Sequence, residues 1–414
     1  MITSEFALLI GADLSLRERA ILCTARALAM PVVLLAFPGK QRPANTLADD
    51  IIECEHPMNP ALAVDAVRRY SKERGIRPAA VIPINDFSLK AGAAVARAFG
   101  LRFLHDDVIA RCRDKVLMKR AFDAAGLRSA RVLAQDEAVL DYDFPDGKPV
   151  ILKPSEFGGS GGVRLVSNRA ELRSAWDTAR TLLDKYAEAA HVDPRRIHLE
   201  EFLESDKEVS VEVYCTPGRA TVAAVTEKFL SPPPYFAEVG HRVPYPGSDG
   251  PELAEVGRRA CMALGIDRGV AHVEIRILPD GCYVIEVGAR PGGDKIMDLV
   301  HRARGIDLYA LHAQSYVDRW HVTLPSTAQG VAAIGFLKAA PGRIADIRTP
   351  SAAEGLYDLS VYKRVGDRSE PLSHFETREG HAEWFWPAHR ETPDFIAMTD
   401  RLADQIFVIE HEAA

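Results

Sequence analysis

Two stretches of the chain have residue types and spacings that could do phosphate chemistry. In the first, Lys153 closes an apolar run, and the seven residues Phe157–Val163 then hold Gly158, Gly159, Gly161 and Gly162 with Ser160 and no charge. Clustered glycines let successive backbone N–H groups turn toward one anion, and a lysine on the entering strand adds a point charge beside them. The same composition also describes a slack hairpin tip, and the loop alone does not choose between the two. In the second stretch, Glu274 and Glu286 sit in apolar, β-branched runs on either side of Pro279-Asp280-Gly281. If those runs pair through that turn, the two carboxylates lie side by side on one face. Adjacent carboxylates repel and raise a pKa unless a cation stands between them, and Mg2+ favours a few carboxylate oxygens completed by phosphate.

Other phosphate-binding signatures are missing. No Gly-Lys-Ser/Thr follows the loop, and a kinase loop would need its lysine downstream with His-Arg-Asp and Asp-Phe-Gly beyond it. Val163-Arg164-Leu165-Val166 reads as a strand, so an anion in the loop would not sit on a helix N-terminus. Here the lysine precedes the glycines.

The elements that must position these residues follow from periodicity. Phe6–Ile10, a helical pattern over Leu16–Leu28 and Val32–Leu35 make a β-α-β unit, continued by Ala79–Pro83 and a helix over Leu89–Phe99, so the class is α/β. The turn Gly11–Ser15 lacks Gly-x-Gly-x-x-Gly, which argues against a dinucleotide there. From Asp114 onward the spacing predicts a helix over Lys115–Ala125 stopping at Gly126, strands at Val150–Lys153 and Val163–Val166, and a helix over Arg169–Ala190. Strands are expected at Ile197–Leu203, Glu208–Tyr214, Ala271–Ile277 and Gly281–Val287. The proline-rich stretch Ser231–Pro251 reads as a long loop without periodicity, and short strands after about Ser326 suggest a small β-rich terminal domain. The expected division is 1–112, 113–325 with a lid subdomain at about 125–200, and 326–414.

At 414 residues the chain is too long for one ordinary core, and 47% hydrophobic with 26% charged residues fits a globular protein. A net charge of −7 argues against a nucleic-acid partner, and the run Arg68–Arg74 reads as the solvated end of a helix. The six cysteines are scattered without a Cys-x-x-Cys pair, as in reduced thiols. Met1-Ile2-Thr3-Ser4-Glu5 lacks a basic leader, and the longest apolar stretch, Ala27–Phe37, is about half a membrane span. The expectation is a soluble cytoplasmic protein with no membrane partner.

From about Lys115 to Gly293 the chain resembles an ATP-grasp enzyme, and most of all the carboxylate–amine ligase branch that includes L-amino acid ligases. Four motifs in order carry the resemblance: Asp114-Lys115 with Lys153 and the glycine loop; Leu199–Glu208; Glu274 with Glu286; and Arg290-Pro-Gly-Gly-Asp-Lys295. It implies an ATP-grasp fold with a Rossmann-like N-terminal domain, a lid and core, and a small β-rich C-terminal domain. It also implies ATP held by Lys115, Lys153, Ser155, Gly158, Gly159, Ser160, Gly161, Gly162 and Val163. Adenine and ribose would be read by Glu200 or Glu201, the segment through Phe202 and Leu203, and Glu208. Glu274 and Glu286 would hold Mg2+, for which Mn2+ can substitute. The family usually has Asn at the position of Gly288, which leaves one or two ions open. L-amino acid ligases tend to lack that Asn and keep an Ala-Arg, as Ala289-Arg290 does here.

By the same resemblance Arg290 meets the transferred phosphoryl group, and Gly288, Gly292 and Gly293 let backbone approach a bound carboxylate. Asp294 faces an acceptor's ammonium or else pairs with Lys295 or Arg302. Glu238, His241 and Arg242 hold an amino or carboxyl group of the substrate, and Glu238 or His241 takes a proton. His272 is read as a packed strand histidine outside the site. The implied activity joins a small carboxylate to an amine through an acyl phosphate, releasing ADP, in a homodimer. Alternatives are an ATP-grasp carboxylase, a ligase acting on a carrier-protein thiol, or a non-catalytic ATP-binding module.

Overall fold

The computed structural model describes residues 4–12, 16–39, 46–321, 323–324, 328–388 and 390–410. Residues 1–3, residues 13–15 of the turn after the first strand and the boundary expected near Ser326 lie outside the described residues. At the N-terminal end, strands Asp50–Glu53, Val32–Ala36, Glu5–Ile10 and Arg77–Pro83 hydrogen-bond in that order as a parallel sheet. Phe6–Ile10 and Val32–Ala36 are buried at every position, the mark of a parallel sheet covered on both faces. Helices Glu18–Leu28, Pro60–Arg74 and Ser88–Phe99 do the covering. The second starts on Asn59, whose side chain accepts from the Ala61 and Leu62 N–H groups, and stops at a left-handed Gly75.

A second, antiparallel sheet joins Val132–Gln135, Ile197–Glu201, Val150–Pro154 and Arg164–Val166. Helix Arg169–Ala190 backs it, capped by Asn168 and burying Leu172, Ala175, Ala179 and Leu183 at spacings of three and four. The glycine loop bridges two strands of this sheet.

The third sheet has eight strands in the order Gly281–Gly288, Gly269–Leu278, Glu208–Thr216, Arg219–Leu230, Glu238–Val243, Gly330–Leu337, Gly380–Pro387 and Leu356–Val361. It corrects two expectations. Glu238–Val243 is a strand inside the supposed loop Ser231–Pro251. No apolar alternation marks it, because Arg242 pairs with Glu227 and the buried His241 is polar. Gly240 meanwhile lets the Ile334 carbonyl come within 2.6 Å of where a Cβ would stand. That hidden strand is the partner of Gly330–Leu337, so the boundary expected at 326 does not separate two sheets. Among the C-terminal strands, Gly342–Ile347, Arg368–Ser369 and Phe407–Glu410 form a small sheet of their own, beside helix Phe395–Ile406.

In the hairpin of Gly269–Leu278 and Gly281–Gly288, Leu278 pairs with Gly281, so the turn holds only Pro279 and Asp280. Continued without interruption, that register would set Glu274 opposite Ile285. A bulge at Ile285 shifts it by one, and Glu274 faces Glu286. The expected pairing is present, reached by a tighter turn plus an extra residue. Among the described residues no helix is long and apolar enough to cross a membrane.

Candidate active site

A cleft opens between the glycine-loop sheet and the first strands of the eight-stranded sheet. Gly158, Gly159, Ser160, Gly161 and Val163 form one edge, and Glu208, Glu238, Glu274, Glu286 and Arg290 line the opposite side. Gly162 turns the ribbon at φ +74°, where a Cβ would also press to 2.9 Å from the Pro154 ring.

The ribbon side is a lysine wall. Helix Lys115–Ala124 starts on Asp114, whose Oδ1 accepts from the Val116 and Leu117 N–H groups at 2.8 and 3.1 Å. That cap fixes Lys115 in the first turn, where its Nζ donates to the Phe157 carbonyl at 2.6 Å and pairs with Glu286 at 2.9 Å. One turn on, the buried Lys119 reaches Glu200 Oε2 at 3.0 Å, while Lys153 reaches Glu200 Oε1 at 2.5 Å. Burial alone would raise the Glu200 carboxyl; Lys119 and Lys153 outweigh it and hold the group well below the usual range. Burial pushes the Lys119 ammonium down, against the pull of Glu200.

The hairpin side is a carboxylate wall. Glu274 Oε1 lies 2.8 Å from Lys228 Nζ, and Lys228 also meets Glu208 at 2.9 Å. Arg276, on the same strand face as Glu274, holds Glu208 with Nη2 at 2.6 Å and donates to the Leu203 carbonyl at 3.1 Å. Burial opposes the Lys228 ammonium, but Glu208 and Glu274 hold its pKa well above the ordinary value. His272 bridges Glu212 at 3.0 Å and Glu274 at 3.3 Å, and despite burial the Glu212 charge raises it to about 9. It is therefore charged at neutral pH. Two hard carboxylates on adjacent strands, each already attended by an ammonium, are a donor set suited to Mg2+.

At the floor, Arg290 donates from Nε to Asp86 Oδ2 at 2.8 Å, a partner from the turn between strand Arg77–Pro83 and helix Ser88–Phe99. Burial works against the Asp86 carboxylate, yet Arg290 and Arg113 keep its pKa below the ordinary value. A Cβ at Gly288 would stand 3.0 Å from both Arg290 Nε and Asp86 Oδ1, so a larger residue there would have to displace this pair. Beside it, Arg17 donates to the Ile84 carbonyl at 2.5 Å and lies against Gly293. On the far side, Asp294 accepts two hydrogen bonds from Arg378 at 3.0 and 2.9 Å and lies 3.3 Å from His241 Nε2. Arg378 also reaches Glu238 at 3.2 Å.

The structure thus brings together Lys115, Lys153, Gly158, Gly159, Ser160, Gly161, Val163, Glu200, Glu201, Leu203, Glu208, Glu238, Glu274, Glu286, Gly288 and Arg290 around one cleft. Others stand apart from its lining. Ser155 is buried, its hydroxyl 3.0 Å from His198. Phe202 packs on Phe236 with ring centroids 5.8 Å apart, and Arg242 turns to Glu227. Glu201 sends its carboxylate outward to Arg131, so its backbone is what remains on the cleft side. Glu208 is bound by two cations. Asp294 pairs with Arg378, a partner the sequence reading did not consider.

Sequence reasoning missed Asp86, Lys119, Lys228, Arg276, Arg378 and the place of His272 in the site. Two had a local signal. Lys119 is four residues past Lys115 on one helix face, and Arg276 is two residues past Glu274 on one strand face. Asp86 and Arg378 had none, since their partners are 204 and 84 residues away.

Residues 147–298 match the family model described as the ATP-grasp domain. A D-alanine–D-alanine ligase of Geobacter sulfurreducens is 30% identical over 192 residues, 43% of this chain and 55% of that protein. An alanine–anticapsin ligase of Bacillus subtilis is 24% identical over 257 residues, 56% of this chain and 52% of that one. The chain spans about half the length of the curated relatives it matches. The crystal structure of an L-amino acid ligase from Bacillus licheniformis superposes with a TM-score of 0.75 at 21% identity, covering 99% of both chains. That likeness shows a shared fold.

Proposed function

From the premise of an ATP-grasp domain at residues 147–298, we propose that the chain is an ATP-dependent carboxylate–amine ligase. It joins an amino acid or small carboxylate to an amine through an acyl phosphate and releases ADP and phosphate. The observation that carries this reading is the pairing of Glu274 with Glu286 across one hairpin, facing Lys115, Lys153 and the glycine ribbon.

The triphosphate lies along the ribbon, with backbone N–H groups, Lys115 and Lys153 neutralising its charge. Glu274 and Glu286 would hold Mg2+, which when bound supplies further positive charge to the transferring phosphoryl group. Phosphoryl transfer needs positioning and charge neutralisation more than covalent help from the protein. A carboxylate oxygen of the donor bonds to the γ-phosphorus as the bond to ADP breaks. Arg290, anchored by Asp86, directs its remaining donors at the phosphoryl oxygens or the carbonyl oxyanion. The amine nitrogen then attacks the acyl carbon, phosphate leaves, and Glu238 or His241 accepts the amine's proton. Closure of the ribbon excludes water from the acyl phosphate.

The test is phosphate release from Mg·ATP across pairs of amino acids and small carboxylates, with products identified by mass. Amide products are expected, and Glu286→Gln lowers turnover about a thousandfold, the equivalent of several kcal/mol of lost charge stabilisation. ADP release that requires bicarbonate or a phosphopantetheinylated carrier instead would transfer the reading to a carboxylase or a carrier ligase. No release with any acceptor would leave a binding module.

A further inference from the structure

The loop that follows Arg290 is held in an unusual way. Asp294 and Lys295 are consecutive residues with side chains, and both are left-handed, at φ +51° and +58°. That conformation crowds a Cβ against the following carbonyl, so two in a row persist only where surroundings impose them. The surroundings come from the C-terminal strands. Lys295 pairs with Glu383 and lies 3.5 Å from Asp358. Asp294 is gripped on both oxygens by Arg378. Arg378 is itself fixed: it is 3% exposed and its guanidinium lies 3.6 Å from the centroid of the Phe336 ring.

We propose that Arg378 is a positioning residue for the substrate end of the cleft. Its two-pronged grip locks the Asp294–Lys295 turn, and its third contact orients Glu238, so that the two carboxylates stand at a fixed spacing to receive a substrate ammonium. This rests on the ligase reading for the identity of the ligand, and on geometry alone for the positioning. Asp294 and Glu238 contribute two negative charges and Arg378 one positive. The other groups facing this cluster are His241, 3.3 Å from Asp294; Lys228, 3.9 Å from Glu238 and shared with Glu208 and Glu274; and Arg17 and Tyr362 beside Asp294. The competing account is a plain structural tie between the C-terminal strands and the loop.

Arg378→Gln removes the charge and the fork. Hydrogen exchange is expected to quicken at the amides of residues 292–299 while the ribbon at residues 157–163 is unchanged. For the substrate pair that turns over best, the amine KM rises about tenfold to a hundredfold, as for loss of charge-assisted hydrogen bonds, with the ATP KM within about twofold. Millimolar guanidinium partly restores Arg378→Ala. If neither variant folds, Arg378→Lys keeps the charge without the fork and shows the same split at smaller size. Unchanged exchange at residues 292–299, or a loss shared equally by ATP and amine, overturns the proposal. A wild-type chain inactive with every pair sinks the ligase reading instead, and the exchange result still decides the positioning.

Discussion

On the ribbon side of the cleft, two lysines, Lys119 and Lys153, share one carboxylate, Glu200. On the hairpin side, one lysine, Lys228, lies within 2.8 to 3.9 Å of three carboxylates, Glu274, Glu208 and Glu238. Each wall is built around a buried ion cluster, but the clusters have opposite surpluses. A wall with spare positive charge suits a phosphate chain, and a wall with spare negative charge suits a divalent cation or an ammonium. The difference also divides labour between fold and ligand. Glu200 has a second lysine if one is lost, whereas Glu208, Glu274 and Glu238 share Lys228 and each keeps one further cation, Arg276, His272 and Arg378 in turn.

Removing each lysine should break the symmetry most visibly. Lys228→Met leaves buried carboxylates short of their cation and is expected to cost about 3–5 kcal/mol of unfolding free energy. Lys153→Met leaves Glu200 with Lys119 and costs about 1 kcal/mol, while nucleotide affinity drops sharply. Denaturant titration of both variants beside nucleotide binding reads this, and equal stability losses would remove the distinction between the walls.

A smaller effect sharpens the ribbon side. Gly162→Ala meets both a left-handed backbone and the Pro154 ring, and is expected to cost about 1–2 kcal/mol. A Cβ at Gly158 meets no atom within 4 Å, so Gly158→Ala should stay within about 0.5 kcal/mol. Thermal melts of the pair decide whether the ribbon is a shaped element or a slack tip.

The smallest effect concerns a carboxylate outside both walls. Asp298 is pushed up to about 6 by burial, with Arg19 at 3.7 Å too distant to offset it. The folded chain keeps this proton to a higher pH than the unfolded chain, so its contribution is most favourable below about pH 4 and declines as pH rises toward 6. Asp298→Asn should therefore gain about 1 kcal/mol at pH 7 and nothing at pH 4, by melts at the two values. A gain at both would mean packing, and no gain at either would mean that Arg19 compensates the charge after all.

What could be read from the amino-acid order was local. Helix Arg169–Ala190 follows from a 3.6-residue periodicity that needs no distant partner, while Glu274 faces Glu286 as expected but through a two-residue turn and a bulge that period-2 alternation does not announce. Strand Glu238–Val243 escaped because its polar residues are satisfied by neighbouring strands, and with it went the link to Gly330–Leu337. Asp86 and Arg378 escaped for a related reason. A lone charged residue reads as surface until the chain returns a partner from far away, and nothing near Ile84 or Thr377 announces one.

The extra residue at Ile285 has an outcome for sequence variation. The turn register alone would set Glu274 opposite position 285, so a hairpin shortened by one between Gly281 and Glu286 regains a regular ladder and still brings its second acidic residue to Glu274. A hairpin lengthened by one there, without a second bulge, sends that side chain to the back of the sheet. A sequence aligned to this one with a single inserted residue in that interval should have lost the paired acids, whatever its overall identity.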